Sequence, residues 1–118
     1  MKNSFEQKMM ISGVCDGRGA AVCATAVELP DGSYGMCLLG VKGNILQIYD
    51  TNMKFEVGHH LYDIELKNVE GFQRVNGMLG EMIKGYSFRF AYKGFQYAFK
   101  NCAAKKTVLD VIEEESKK

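Results

Sequence analysis

The chain has 118 residues, a length that suits one domain, because a core of this size already buries roughly two-thirds of the surface of the unfolded chain. Fifteen basic residues against fourteen acidic ones leave a net charge of +1, so no strong field gathers nucleic acid or an anionic membrane. A hydrophobic share of 47% with a charged share of 25% excludes a disordered or fibrous class.

Residues 3–14 carry Phe5, Met9 and Met10, with Ser4 followed three positions later by Gln7 as a capping pair, and this predicts a short helix ending near Gly13. Charges at Lys2, Glu6 and Lys8 occupy the place where a secretion signal has its apolar run, and no stretch approaches the ~20 apolar residues of a membrane span. A cytoplasmic setting is the expectation.

Asp16-Gly17-Arg18-Gly19 then reads as a turn, and a Val-, Ala- and Thr-rich strand is expected over residues 20–29. Pro30-Asp31-Gly32-Ser33 turns the chain into a second extended run at 34–41. Lys42-Gly43 is a two-residue hairpin loop leading to residues 44–49. Asp50-Thr51-Asn52 turns again, residues 55–66 are extended with a break at Gly58, and 69–75 forms another strand. Thirteen glycines and one proline fit this succession of strands and tight turns.

The strongest signal lies at 86–100. Tyr86-Ser87-Phe88-Arg89-Phe90-Ala91-Tyr92 alternates strictly, as does Phe95-Gln96-Tyr97-Ala98-Phe99-Lys100 after Lys93-Gly94. A two-residue loop sets Tyr92 opposite Phe95, Phe90 opposite Tyr97 and Phe88 opposite Phe99, so six rings share one surface as the heart of the core. Ser87, Arg89, Ala91, Gln96, Ala98 and Lys100 take the other. Asn101 is the expected N-cap of a helix over 101–116, whose apolar face carries Ala104, Val108, Val111 and Ile112 with Leu109 on its border. Lys105 and Lys106 early and Glu113-Glu114-Glu115 late oppose the helix dipole, so the apolar face must hold this helix. The fold class is mostly β, about seven strands in a meander, with a C-terminal helix and a short N-terminal one.

Residues 39–46 (Leu-Gly-Val-Lys-Gly-Asn-Ile-Leu), residues 64–69 (Ile-Glu-Leu-Lys-Asn-Val), the aromatic hairpin and the closing helix together resemble the pleckstrin-homology-like group, in particular bacterial PH and GRAM-type domains. The resemblance spans roughly residues 20–115. It implies a seven-stranded split barrel over 19–100, capped by one helix over 101–116 and preceded by an N-terminal helix and turn over 1–18. It also implies phosphoinositide head groups as ligands, held by cations at the open end. Here that end offers the acidic loop Pro30-Asp31-Gly32-Ser33, one acid and one base over 50–54, and Lys93, too few cations for a multiply charged phosphate. A membrane lipid is therefore not the expected partner.

No catalytic residue, cofactor or metal site is expected. Adjacent His59 and His60 point to opposite faces of a strand and do not converge on one ion. Cys15, Cys23, Cys37 and Cys102 contain no Cys-x-x-Cys pair and are read as buried apolar filler, a Cys23–Cys37 disulfide being an alternative that a cytoplasmic setting opposes. Gly13, Gly17 and Gly19 lack the order of a phosphate cradle. Arg89 and Lys100 lie on the face away from the rings, whereas base stacking needs cations and rings together, so nucleic acid is not expected. Met78, Leu79 and Met82, in an apolar segment between glycines, are the candidate partner surface. The functional expectation is a non-catalytic binding or scaffolding module for a protein or peptide, or one that self-associates.

Overall fold

The computed structural model describes residues 4–16, 19–54, 56–75, 86–104 and 107–117. In chain order these form α1 (Ser4–Ile11), β1 (Ala20–Leu29), β2 (Gly32–Tyr34), β3 (Cys37–Lys42), β4 (Ile45–Asp50), β5 (His60–Glu65), a 3-10 turn (Leu66–Asn68), β6 (Glu70–Arg74), β7 (Tyr86–Tyr92), β8 (Phe95–Ala104) and α2 (Thr107–Ser116). The strands lie in the order β5-β4-β3-β1-β8-β7-β6, with β2 paired to β1. All pairings are antiparallel.

That order departs from a simple meander at β1, which pairs with β3 on one side and β8 on the other. The same pairing moves the start of the last helix. Instead of capping a helix at Asn101, the chain stays extended through Ala104, because Cys102, Ala103 and Ala104 stand opposite Cys23, Val22 and Ala21 of β1. Backbone groups there are satisfied by the ladder, which outcompetes the local cap.

The two edge strands, β5 and β6, are joined only by residues 66–69. So short a connection spans at most about 18 Å from Glu65 to Glu70, so the sheet curls until its edges approach one another. Among the described residues those edges do not pair, and no closed barrel forms. Inside the curl, Leu39, Val41, Leu46, Ile48 and Ile64 meet Phe88, Phe90, Tyr97 and Phe99, and Val108, Leu109 and Ile112 of α2 join the same core. The helix packs on the 3-10 turn and β6, over the seam between the edges. Arg74 at the end of β6 donates to Asp110 at 2.6 Å and lies 3.9 Å from Glu113, tying the helix to the sheet edge; Lys105 and Lys106 precede the helix, whose first turn carries the acid Asp110.

The aromatic hairpin has the expected register, Phe88 to Phe99, Phe90 to Tyr97 and Tyr92 to Phe95. Lys93 at φ 52 and Gly94 at φ 83 make the tight turn, where two left-handed residues match the twist of the strands. Five of the six rings are buried, but Phe95 is 53% exposed. It sits at the turn, where the ladder ends and the facing layer no longer covers it.

The N-terminal segment packs on the outer face of the β3 side of the sheet. Met9, Val14 and Cys15 bury against Ala20 and Leu38. Gln47 Nε2 donates to the carbonyls of Gly13 and Val14, both at 3.0 Å, and the Asp16 N–H donates to the Val41 carbonyl at 3.1 Å. Gly40 of β3 makes this approach close, since the Val14 backbone lies in the space a side chain would need.

Candidate functional site

The N-terminal segment covers part of the outer face of the sheet through Met9, Val14 and Cys15. Away from that segment, strict alternation on β7 and β8 sends the rings inward and leaves Ser87, Arg89, Gln96, Ala98 and Lys100 outward, where they line a cleft of about 480 Å³. Its walls come from elsewhere in the chain. Val27 and Glu28 lie at the end of β1, beside an irregularity in the register with β8. Val75 continues β6, its N–H donating to the Ser87 carbonyl at 2.9 Å. Val27 and Val75 are 45% and 59% exposed, adding exposed apolar surface to a lining that also includes Phe88, Ala98 and Phe99.

The cations of this cleft are accessible. Arg89 Nε donates to Gln73 Oε1 at 2.9 Å, which orients the guanidinium without neutralising it. Neither Arg89 nor Lys100 has a carboxylate within ion-pair distance among the described residues. Glu28 is the acid of the lining. The arrangement can hold an aliphatic group between Val27 and Val75 and accept negative charge beside it.

The candidate partner surface of Met78, Leu79 and Met82 lies outside the described residues. The histidines are held apart. The His59 N–H donates to Asp50 Oδ1 at 2.6 Å and its Nδ1 is 3.3 Å from Asp50 Oδ2, while His60 Nε2 lies 2.6 Å from Asp63 Oδ1 and its ring stacks on Tyr49 at 4.6 Å. Among the described residues no group of three or more His, Cys, Asp or Glu side chains could hold a metal ion, and no helix is long and apolar enough to cross a membrane.

Where the family resemblance places head-group loops, Tyr62 donates its hydroxyl to Asp31 Oδ2 at 2.6 Å, Tyr97 meets the Tyr62 ring edge-on at 5.6 Å, and Lys93 Nζ lies 5.4 Å from the Tyr92 ring centroid. Burial, with the Asp31 carboxylate accepting from the neutral phenol, pushes Tyr62 up to about 12. The folded-state value is above the unfolded one, so this contact stabilises fully below about pH 10 and is lost as pH rises from there towards 12. Tyr62→Phe should reduce the alkaline stability loss in this window, to which the buried Cys37 thiol also contributes, read as denaturation midpoints against pH; an unchanged profile would show that the bond to Asp31 contributes nothing.

The apolar-filler reading does not hold for Cys102, which is disulfide-bonded. Cys37 is a buried free thiol, so the alternative Cys23–Cys37 bond is not formed. Its Sγ lies 3.8 Å from the Gly35 carbonyl, and burial, reinforced by Asp50, pushes the thiol up to about 11.

Neither a protein-family model nor a curated protein matches the chain.

Proposed function

We propose that this domain is a non-catalytic binding module, a PH-like split half-barrel closed by its C-terminal helix, whose cleft between β1, β6, β7 and β8 takes a short segment of a partner protein. The observation that carries this reading is the lining itself: exposed Val27 and Val75 beside the accessible cations Arg89 and Lys100 in a cleft of about 480 Å³. That volume is in the range of ligand-binding clefts, and an aliphatic residue flanked by aspartate or glutamate matches both its surfaces.

Panning a displayed peptide library on the full chain should enrich sequences that join an aliphatic residue to neighbouring acids. The double variant Arg89→Glu and Lys100→Glu, changed at two exposed positions, should retain its fold and weaken an enriched peptide at least tenfold, about 1.4 kcal/mol. Fluorescence anisotropy measures that difference. No enrichment, or equal affinity in the double variant, rejects the cleft as the binding surface. Anionic vesicles at low salt provide the contrast: co-sedimentation without any peptide binding would assign the cations to a lipid surface instead.

A further inference from the structure

Three cysteines stand in one row across three neighbouring strands. Cys23 of β1 is directly opposite Cys37 of β3 on one side and Cys102 of β8 on the other. Opposed residues of an antiparallel ladder place their Cβ atoms on one face about 4.5–5.5 Å apart, close to the ~3.5–4.5 Å a disulfide spans. The register therefore places Cys23 between Cys37 and Cys102 in the row. Cys37 and Cys102 are fully buried in the same core, yet one is a free thiol and the other is disulfide-bonded. Cys15 belongs to the separate cluster on the opposite side of the sheet.

We propose that this row is an exchangeable disulfide set, in which a Cys23–Cys102 bond and a Cys23–Cys37 bond are alternative states of one protein. The Cys37 thiolate attacks the Cys23 sulfur, the Cys23–Cys37 bond forms, the bond to Cys102 breaks, and Cys102 leaves as a thiolate that takes up the proton lost by Cys37. One disulfide replaces another, so the step consumes no outside oxidant or reductant. Its consequence is mechanical. The cross-link moves from β8, which carries Lys100 of the cleft, to β3, on which the N-terminal segment packs.

Exchange needs the thiolate. Asp50, opposite Cys37 on β4, adds to burial in holding the thiol protonated, and Tyr86 of β7 stands opposite Cys102 at the far end of the row. The resting fold is thereby protected from exchange at neutral pH. The rate should rise about tenfold per pH unit as the thiolate fraction grows.

The test is disulfide mapping by mass spectrometry on the full chain, after incubation at about pH 7 and about pH 9.5, acid quench and alkylation. A peptide pair linked through Cys23 and Cys37 should accumulate at the higher pH at the expense of the Cys102-linked pair. In Cys102→Ser, oxidised glutathione should convert two thiols to the same Cys23–Cys37 bond while being reduced to two glutathione molecules. Should that variant fail to fold, the wild-type incubation decides alone. Persistence of the Cys102-linked pair without any Cys23–Cys37 peptide overturns the proposal, and so does a new bond that involves Cys15.

Discussion

Phe88→Ala is expected to lower the free energy of unfolding by about 3–5 kcal/mol, the loss typical of emptying a buried aromatic site. The ring is fully buried and touches three others, with centroids at 5.2 Å to Phe99, 5.9 Å to Phe72 and 6.3 Å to Phe90. These neighbours belong to β6, β7 and β8, rigid strands that collapse poorly into a void, so a cavity penalty adds to the lost transfer energy. Against a total stability of about 5–15 kcal/mol, such a loss leaves the variant marginal or unfolded at ambient temperature. Urea denaturation followed by circular dichroism measures it. Phe95→Ala, at the exposed end of the same hairpin, should lie within about 1 kcal/mol of wild type. Equal losses at the two positions would contradict the placement of the rings, and a Phe88→Ala loss under about 1 kcal/mol would mean that this hairpin is not the centre of the core.

Gly40→Val should have the second-largest effect, by a different mechanism. A Cβ at Gly40 would clash with the Val14 carbonyl oxygen and sit 2.5 Å from Val14 Cγ1. The obstructing carbonyl is backbone, held where Gln47 Nε2 reaches it at 3.0 Å, so no side-chain rotation relieves the contact. Overpacking of this kind costs about 1–3 kcal/mol, unless the N-terminal segment lifts from the sheet and surrenders the burial of Met9, Val14 and Cys15 instead. Limited proteolysis distinguishes the two variants: Gly40→Val should admit cleavage near residues 12–16 while the remainder of the chain resists, whereas Phe88→Ala should be cut throughout. Wild-type resistance and stability in Gly40→Val would show that α1 does not pack on β3.

The aromatic hairpin, its turn and its register were readable because they depend on neighbours within fifteen residues: alternation sorts the two faces, and Lys93-Gly94 fixes which residues oppose. The hairpin between β3 and β4 was expected, but its loop was placed one residue early: Lys42 pairs with Ile45, so Gly43 and Asn44 make the turn. Of the expected apolar face of the closing helix, Val108, Leu109 and Ile112 are buried in the core, whereas Ala104 lies in β8. The helix start at Asn101 was misplaced because a local cap competes with a ladder whose other strand is about eighty residues earlier, at Ala21 to Cys23. The cleft was half legible. Its floor of Ser87, Arg89, Gln96, Ala98 and Lys100 was expected, with Ala91, on the surface opposite the rings, but nothing near them in sequence indicates that Val27, Glu28 and Val75 rise beside that face.

The cysteines mark the same boundary most sharply. Intervals of 8, 14 and 65 positions contain no close pair, and spacing along the chain is all that a motif can register. Pairing β1 with both β3 and β8 converts those intervals into one row. Composition, alternation and turn chemistry determined by themselves that this would be a mostly β domain with an aromatic core and a closing helix, since each of these follows from short-range periodicity. Which strand lies beside β1, where the sheet opens into a cleft and which thiols are neighbours were decided only in the tertiary structure, because long-range pairing is selected by the burial of the whole curled sheet and leaves no local trace.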